Sequence, residues 1–214
     1  MRLSRYRHWF WDFDGTLYDT YPRVVRAFQK GLRARGIGVS DEKVLSLVKI
    51  GLGTAARHFE EGRLEKELMA SYIEHAEDEG PDGLLPYPGA GDMLREVIRQ
   101  GGKNYLYTHR DRTSVVGLEL KGLWPLFTDA VTAEDGFPHK PEPDALLHLL
   151  DKHGLKPEDC VMVGDRPIDL NAATNAGMDS ILFDADGFYD HLSVMARYRD
   201  FARMLDDFKA DAAL

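Results

Sequence analysis

The amino-acid sequence predicts an α/β fold in which helices cover both faces of a parallel sheet, with an all-helical segment inserted near the N-terminus. Three observations lead to this prediction. After residue 90, short apolar runs alternate with amphipathic helical patterns, and polar side chains follow the ends of those runs. Residues 18–85 contain helical patterns but no convincing strand. We therefore expect a core formed by residues 1–17 and 86–214, and a helical insertion formed by residues 18–85.

The composition limits the class of protein. The chain has 214 residues, of which 43% are hydrophobic, enough for one large domain or one core domain with an insertion. Its net charge of -9 argues against nucleic acid and against an anionic membrane surface as partners. The single Cys160 excludes an internal disulfide and is expected to be buried. We expect a cytoplasmic protein without a signal peptide or membrane span.

Five apolar runs are expected to form the sheet. Each is short, as buried parallel strands are, and most of them end at a polar residue. Ligands bind at the carboxyl ends of such strands, so the polar residues there are candidates for a functional site. The runs are Trp9–Trp11, Tyr105–Tyr107, Ala130–Val131, Val161–Val163 and Ile181–Phe183.

The inserted segment, residues 18–85, has helical signals of its own. Apolar residues from Val24 to Leu32 follow a helical period, and Ser40 before two acidic residues has the pattern of a helix N-cap. The segment ends in a loop rich in turn residues at Leu85–Gly89. An insertion at this point of the chain would lie over the site and could act as a lid.

Asp12 and Asp14 form the most specific motif, because two carboxylates, a glycine and a hydroxyl follow the first apolar run. In an extended chain the two carboxylates project to the same side, and Gly15 permits a sharp turn. Two negative charges at such a short distance require a cation or a shared proton. Mg²⁺, which binds oxygen ligands, meets that need. One carboxylate can then act as a nucleophile and the other as an acid or base. The alternative is an ordinary hairpin turn at Asp14-Gly15.

Two further candidates have basic or hydroxyl side chains. Thr108 follows the second run, where its hydroxyl and nearby backbone N–H groups could hold phosphate oxygens. Its alternative role is to cap the helix that begins near residue 112 or 113. Lys140 lies in a loop stiffened by Pro141 and Pro143, and could supply a fixed positive charge for phosphate. Its alternative is an exposed, solvated lysine.

Asp165 and Asp169 follow the fourth run, at a spacing that brings them together across the first turn of a helix. Asp165 could complete a metal site with Asp12 and Asp14. The alternative is that both acids only stabilise the helix N-terminus. The placement of all these residues at the ends of successive runs favours one shared site over separate structural roles.

The sequence resembles the haloacid dehalogenase superfamily, in the subgroup with a small helical cap. Within that subgroup it is most similar to phosphoglycolate-phosphatase-like hydrolases. The resemblance implies a Rossmann-like core, Mg²⁺-dependent phosphoryl transfer and a small phosphorylated metabolite as substrate. It rests on DFDGTLYDT at 12–20, LPYPGA at 85–90, YTHR at 107–110, HKPEPDALL at 139–147 and VGDRPIDLNAATNAGM at 163–178.

The resemblance also implies a role for each acidic residue. Asp12 is the nucleophile that forms an aspartyl-phosphate, and Asp14 protonates the leaving oxygen and then activates water. Mg²⁺ is held by Asp12, the backbone carbonyl of Asp14 and Asp165, and Asp169 orients this group. Asp14 must hold a proton in the first step, and we expect crowding by other carboxylates to favour that proton.

Three residues are expected to bind the phosphoryl group: Thr108, Lys140 and His109, the last through its backbone N–H more than its ring. The leading hypothesis is a phosphatase of a phosphoglycolate-like compound or a sugar phosphate, as a monomer or homodimer. The presence of Asp14 argues against a true dehalogenase. A phosphomutase of the beta-phosphoglucomutase type and a non-catalytic binding module on the same fold are the alternatives.

Overall fold

The computed structural model of the protein describes residues 2–60, 65–77, 80 and 83–212. Within it the chain divides into two units. The core unit consists of Met1–Tyr18 and Pro86–Leu214, and the second unit of Asp19–Leu85. Residues 61–64, 78–79 and 81–82 of the expected insertion lie outside the described residues.

Six parallel strands form the sheet of the core unit. They are β1 (His8–Trp11), β2 (Lys103–Tyr107), β3 (Phe127–Val131), β4 (Cys160–Gly164), β5 (Asp179–Phe183) and β6 (Arg197–Tyr198). Their order across the sheet is β3-β2-β1-β4-β5-β6, and every neighbouring pair is parallel. The predicted fold class is confirmed, and each predicted apolar run lies within one of these strands. β1 is central, and the strand order changes direction there, which is where ligands bind in such sheets.

The second unit consists of helices with their own apolar core. Its described helices are α1 (Tyr21–Ala34), α2 (Asp41–Ile50), α3 (Leu52–Glu60) and α4 (Glu65–Glu77). The hydroxyl of Ser40 accepts the Lys43 backbone N–H at 3.3 Å, so the predicted N-cap of α2 is confirmed. Phe28, Leu32 and Leu68 are completely buried in this core, which explains the helical period of the sequence in this segment.

The α-helices of the core unit among the described residues follow in chain order: α5 (Ala90–Arg99), α6 (Thr113–Leu120), α7 (Asp144–His153), α8 (Pro167–Asn175) and α9 (Phe201–Ala212). Successive side chains of β1 point to opposite faces of the sheet. Phe10 packs in a cluster with residues of α7 and α8. On the other face Trp9 and Trp11 contact Phe208 and Phe201 of α9, with ring centres 5.3 and 6.1 Å apart. Both faces of the sheet are therefore covered, as predicted.

The C-terminal elements β6 and α9 are absent from the sequence predictions. β6 has only two residues, so no apolar run marks it. The signal for α9 is present, because Phe201, Met204 and Phe208 recur at a helical spacing and are all buried. Cys160 is buried in β4, as expected. Among the described residues, no helix is both long enough and apolar enough to cross a membrane.

Asn104 is a buried polar residue that joins β2 to neighbouring elements. Its Oδ1 accepts the Trp11 indole N–H at 2.9 Å, and its Nδ2 donates to the carbonyls of Leu94 and Leu126 at 3.0 and 3.1 Å. These three bonds satisfy the polar groups of the Asn104 side chain and the Trp11 indole, both of which are completely buried.

We expect Asn104→Ala to lower the free energy of unfolding of the core unit by about 2–4 kcal/mol, because it leaves buried groups without partners. Urea denaturation followed by tryptophan fluorescence measures this change, since Trp9, Trp11 and Trp124 all lie in the core unit. The matched control is Lys103→Ala at the exposed preceding position, which should change stability by less than about 0.5 kcal/mol. A loss below about 1 kcal/mol for Asn104→Ala would contradict this account.

Candidate active site

The polar residues at the ends of β1, β2 and β4 are positioned by the sheet. The Asp12 backbone N–H donates to the Val163 carbonyl of β4 at 2.9 Å, and the Thr108 N–H donates to the Val131 carbonyl of β3 at 3.0 Å. Asp165 directly follows β4. All three polar side chains belong to residues that are buried. The sheet therefore positions the backbone of each residue at the change of strand order.

The Lys140 ammonium lies at the centre of this site. It donates to Asp12 Oδ1 at 2.7 Å, to Asp169 Oδ1 at 2.7 Å and to the Tyr107 carbonyl at 3.0 Å. An ammonium has three N–H donors, so these acceptors account for all of them. The side chain has no exposed surface, and the alternative of a solvated lysine is wrong.

The buried charges shift one another's pKa. Burial alone would lower the pKa of Lys140, but Asp12 and Asp169 raise it above its usual value. Burial raises the pKa of Asp12 to about 6, although Lys140 opposes the rise. Burial would also raise the pKa of Asp169, but Lys140 and Arg166 hold it below its usual range. The group therefore combines a charged ammonium, an ionised Asp169 and an Asp12 carboxylate that burial makes more basic.

Asp12, Asp165 and Asp169 form a buried group in which one oxygen of each lies within 4.8 Å of the others. Both oxygens of Asp169 are already engaged, Oδ1 by Lys140 and Oδ2 by the Arg166 backbone N–H at 3.0 Å. Asp12 Oδ2 is buried and has no hydrogen-bond partner among the described residues. An unpartnered carboxylate oxygen close to a second carboxylate suits a hard divalent cation, which takes oxygen ligands.

Gly164 makes room for Asp169. A Cβ at position 164 would lie 2.6 Å from Asp169 Oδ2, and still closer to Asp169 Cβ and Cγ. A side chain at this position is therefore incompatible with the observed place of the carboxylate. The last residue of β4 thus determines how closely α8 approaches the site.

Asp14 lies outside the carboxylate group and pairs with Arg110. The Arg110 Nε donates to Asp14 Oδ1 and Oδ2 at 3.1 and 3.0 Å, and Nη2 donates to Oδ1 at 2.6 Å. This guanidinium favours the charged form of Asp14, which opposes the protonation that we expected crowding by other carboxylates to favour. The hairpin alternative is also wrong, since β1 pairs in parallel with β2 and β4. Arg110 was absent from the predicted site, although a basic residue just after Thr108 was a signal for it.

The hydroxyl of Thr108 has a partner in the loop after β2. Its Oγ1 accepts the Arg110 backbone N–H at 3.0 Å. The start of α6 is capped instead by Asp111, whose carboxylate accepts the Thr113 N–H at 3.0 Å. The alternative that Thr108 caps this helix is therefore wrong, and its own hydroxyl hydrogen can be donated elsewhere.

The His109 ring supports the loop that carries Lys140. Its Nε2 accepts the Lys140 backbone N–H at 2.8 Å, so a neutral ring carries its proton on Nδ1. Burial lowers the pKa of His109 to about 3, which keeps the ring uncharged at neutral pH. The ring therefore has a positioning contact that the sequence did not predict, and it supplies no positive charge for an anion.

The order and chemistry of these residues match a known family. Residues 10–183 match the family described as haloacid dehalogenase-like hydrolase. The chain belongs to the haloacid dehalogenase-like hydrolases. The matched range includes Asp12, Asp14, Lys140, Asp165 and Asp169, and the resemblance inferred from the sequence motifs is confirmed.

Curated relatives of this haloacid dehalogenase-like hydrolase align over most of its length. Hexitol phosphatase A of Escherichia coli is 32% identical over 191 residues, which cover 85% of this chain and 84% of that protein. Pyrophosphatase PpaX of Bacillus cereus is 31% identical over 168 residues, which cover 78% of this chain and 77% of that protein.

Solved structures share the fold of this haloacid dehalogenase-like hydrolase. A hydrolase from Streptococcus pneumoniae is 31% identical, with a TM-score of 0.65 over 84% of this chain and 93% of that one. Another structure from the same organism, of a hydrolase described as a haloacid dehalogenase-like family protein, is 19% identical and has a TM-score of 0.81, over 96% of this chain and all of that one. The second likeness concerns the fold alone.

We expect Gly164→Ala to lower the free energy of unfolding of the core unit by about 3 kcal/mol or more. The added methyl group displaces Asp169, and this breaks a buried ion pair with Lys140. Urea denaturation followed by tryptophan fluorescence measures the loss. Gly38→Ala is the control for replacing a glycine by alanine without a steric clash, because no heavy atom lies within 4 Å of the added Cβ. A Gly164→Ala protein as stable as the parent would show that the close approach of Asp169 is unimportant.

Proposed function

We propose that this chain is a Mg²⁺-dependent phosphatase that hydrolyses a small phosphorylated metabolite by attack of Asp12 on phosphorus. The observation that carries the proposal is the asymmetry of the Asp12 carboxylate. Oδ1 is held by the Lys140 ammonium at 2.7 Å, whereas Oδ2 is buried without a hydrogen-bond partner among the described residues. Oδ1 thus orients the group and keeps a lone pair for a cation, while Oδ2 has no hydrogen bond to lose when it attacks phosphorus.

The metal ligands in this proposal are the carboxylates of Asp12 and Asp165 and the backbone carbonyl of Asp14. The described carboxylates support this choice, because Asp12 and Asp165 lie in one group while both oxygens of Asp169 are engaged. When bound, Mg²⁺ supplies positive charge that offsets the carboxylates and the phosphoryl oxygens. Asp169 then acts as a positioning residue that holds Lys140.

The chemical roles proposed here are those that the family resemblance implies. Asp12 attacks phosphorus to form an aspartyl-phosphate, which water then hydrolyses. Asp14 must first take up a proton, against the preference of its Arg110 partner for the charged form. It then gives that proton to the leaving oxygen and takes one from the attacking water. Thr108 donates its hydroxyl hydrogen to a phosphoryl oxygen. Lys140 stabilises the transferred group through its charge, since its three N–H donors are bound to protein oxygens.

The relatives support phosphate chemistry and leave the substrate open. The Escherichia coli relative is named a hexitol phosphatase, and the Bacillus cereus relative a pyrophosphatase. The two names share hydrolysis of a phosphorylated compound and differ in the group that leaves. The proposed substrate is a phosphoglycolate-like compound or a sugar phosphate, as the sequence resemblance implies.

The proposal predicts that phosphate release requires both Asp12 and a divalent cation. With a panel of phosphate monoesters, Asp12→Asn should lower kcat by at least about a thousandfold, because an amide is a poor nucleophile. Excess chelator should abolish turnover by the parent, and added Mg²⁺ should restore it. The control is Asp92→Asn, an exposed carboxylate of α5, which should leave turnover unchanged.

Two results would contradict this proposal. Turnover that survives Asp12→Asn would exclude Asp12 as the nucleophile, and turnover that persists in chelator would exclude the metal requirement. Interconversion of sugar phosphate isomers without release of phosphate would identify a mutase instead.

A separate prediction concerns Asp14. Asp14→Asn should still bind Mg²⁺ through its backbone carbonyl but lower kcat by about 10²–10⁴-fold, the usual effect of a lost general acid or base. Isothermal titration with Mg²⁺ and steady-state phosphate release measure the two effects separately. A fall in kcat of less than about tenfold, or roughly 1.4 kcal/mol, would exclude Asp14 from this role.

A further inference from the structure

The Asp14–Arg110 ion pair differs from the interior of the site in its exposure. The side chains of Lys140 and Asp169 have no exposed surface, and that of Asp12 is 4% exposed. The side chains of Arg110 and Asp14 are 22% and 33% exposed. This pair therefore lies at the side of the site that solvent and a ligand can reach.

Arg110 is held in place by contacts of both its backbone and its side chain. Its N–H donates to Thr108 Oγ1 at 3.0 Å, and its carbonyl accepts the Ala133 N–H at 3.0 Å. Its guanidinium carbon lies 5.7 Å from the ring centre of the buried Phe13. A guanidinium fixed in this way loses little conformational freedom when it binds an anion.

The two cations of the site suit different tasks. The Lys140 ammonium donates to three protein oxygens and is fully buried, so it has no donor left for a second anionic group. The Arg110 guanidinium is partly exposed, and its planar shape matches a carboxylate or a phosphate. With five N–H donors, one guanidinium is able to serve two anionic groups at once.

We propose that Arg110 determines specificity by binding an anionic group on the leaving fragment of the substrate, either a carboxylate or a second phosphate. This inference rests on the proposed function, in which Asp14 gives its proton to the leaving oxygen. The leaving fragment then lies against Asp14, and therefore beside the guanidinium that holds Asp14 by three contacts of 2.6–3.1 Å.

The test compares variants on substrates that differ in the charge of the leaving fragment. 2-Phosphoglycolate and inorganic pyrophosphate have an anionic leaving fragment, whereas ethyl phosphate and glycerol 2-phosphate have an uncharged one. Arg110→Gln should lower kcat/KM for the anionic pair at least about tenfold more than for the uncharged pair, mainly through KM. Each substrate is compared with itself across variants, so differences in intrinsic reactivity cancel.

Two further variants make the comparison specific. Arg110→Lys keeps the positive charge but lacks the planar guanidinium with its paired N–H donors. Its kcat/KM for the anionic pair should therefore lie between those of Arg110→Gln and the parent. Arg112→Gln, an exposed arginine two residues further along the same loop, should change neither class by more than about twofold. Thermal unfolding of every variant checks that the fold is intact, and Arg110→Lys provides the comparison if Arg110→Gln does not fold.

The outcomes separate this inference from the proposed function. An equal fall in kcat/KM for both classes would overturn the inference, because Arg110 would then act only by positioning Asp14. An unchanged kcat/KM for the anionic pair in Arg110→Gln and in Arg110→Lys would also overturn it. A parent protein that releases no phosphate from any phosphate ester, with or without Mg²⁺, would instead overturn the proposed function.

Discussion

The site depends on the burial of one ammonium group, that of Lys140. A buried cation is strongly unfavourable unless each of its donors finds an acceptor and opposite charge lies close by. Lys140 meets both conditions through Asp12, Asp169 and the Tyr107 carbonyl. These acceptors lie just after β1, at the end of β2 and within α8. Satisfying a single side chain therefore also fixes three elements of the fold relative to one another.

This arrangement leaves the site rich in negative charge. Asp12 and Asp169 share the charge of Lys140, and the third carboxylate, Asp165, lies 3.8 Å from the Arg166 guanidinium. Three buried carboxylates thus face two basic side chains, and Asp12 retains an oxygen without a hydrogen-bond partner among the described residues. A divalent cation would offset the excess negative charge and give this oxygen a partner, which is the physical basis for a metal ion in the proposed reaction.

The sequence predicted the sheet and the strand ends because buried strands leave a periodic apolar signal. Asp12 and Thr108 directly follow such a run and Asp165 follows one after Gly164, so the sequence indicates all three as candidates. Side chains in loops have no comparable period, so the direction of Lys140 and the partner of Arg110 depend on tertiary contacts. For the same reason a buried and a solvated Lys140 were equally compatible with the local pattern, and only the acceptors from β1, β2 and α8 distinguish them.

Asp12 and Asp14 are separated by one residue yet contact different cations in different surroundings. Phe13 between them is buried and stacks on Tyr18 with ring centres 4.3 Å apart, which anchors the backbone. The buried ammonium beside Asp12 is shielded from solvent, so dissolved salt weakens that attraction little. The partly exposed guanidinium beside Asp14 is screened by salt and is open to competing anions. The proposed nucleophile, Asp12, therefore has a partner that salt does not displace. The proposed acid and base, Asp14, has a partner for which dissolved anions can compete.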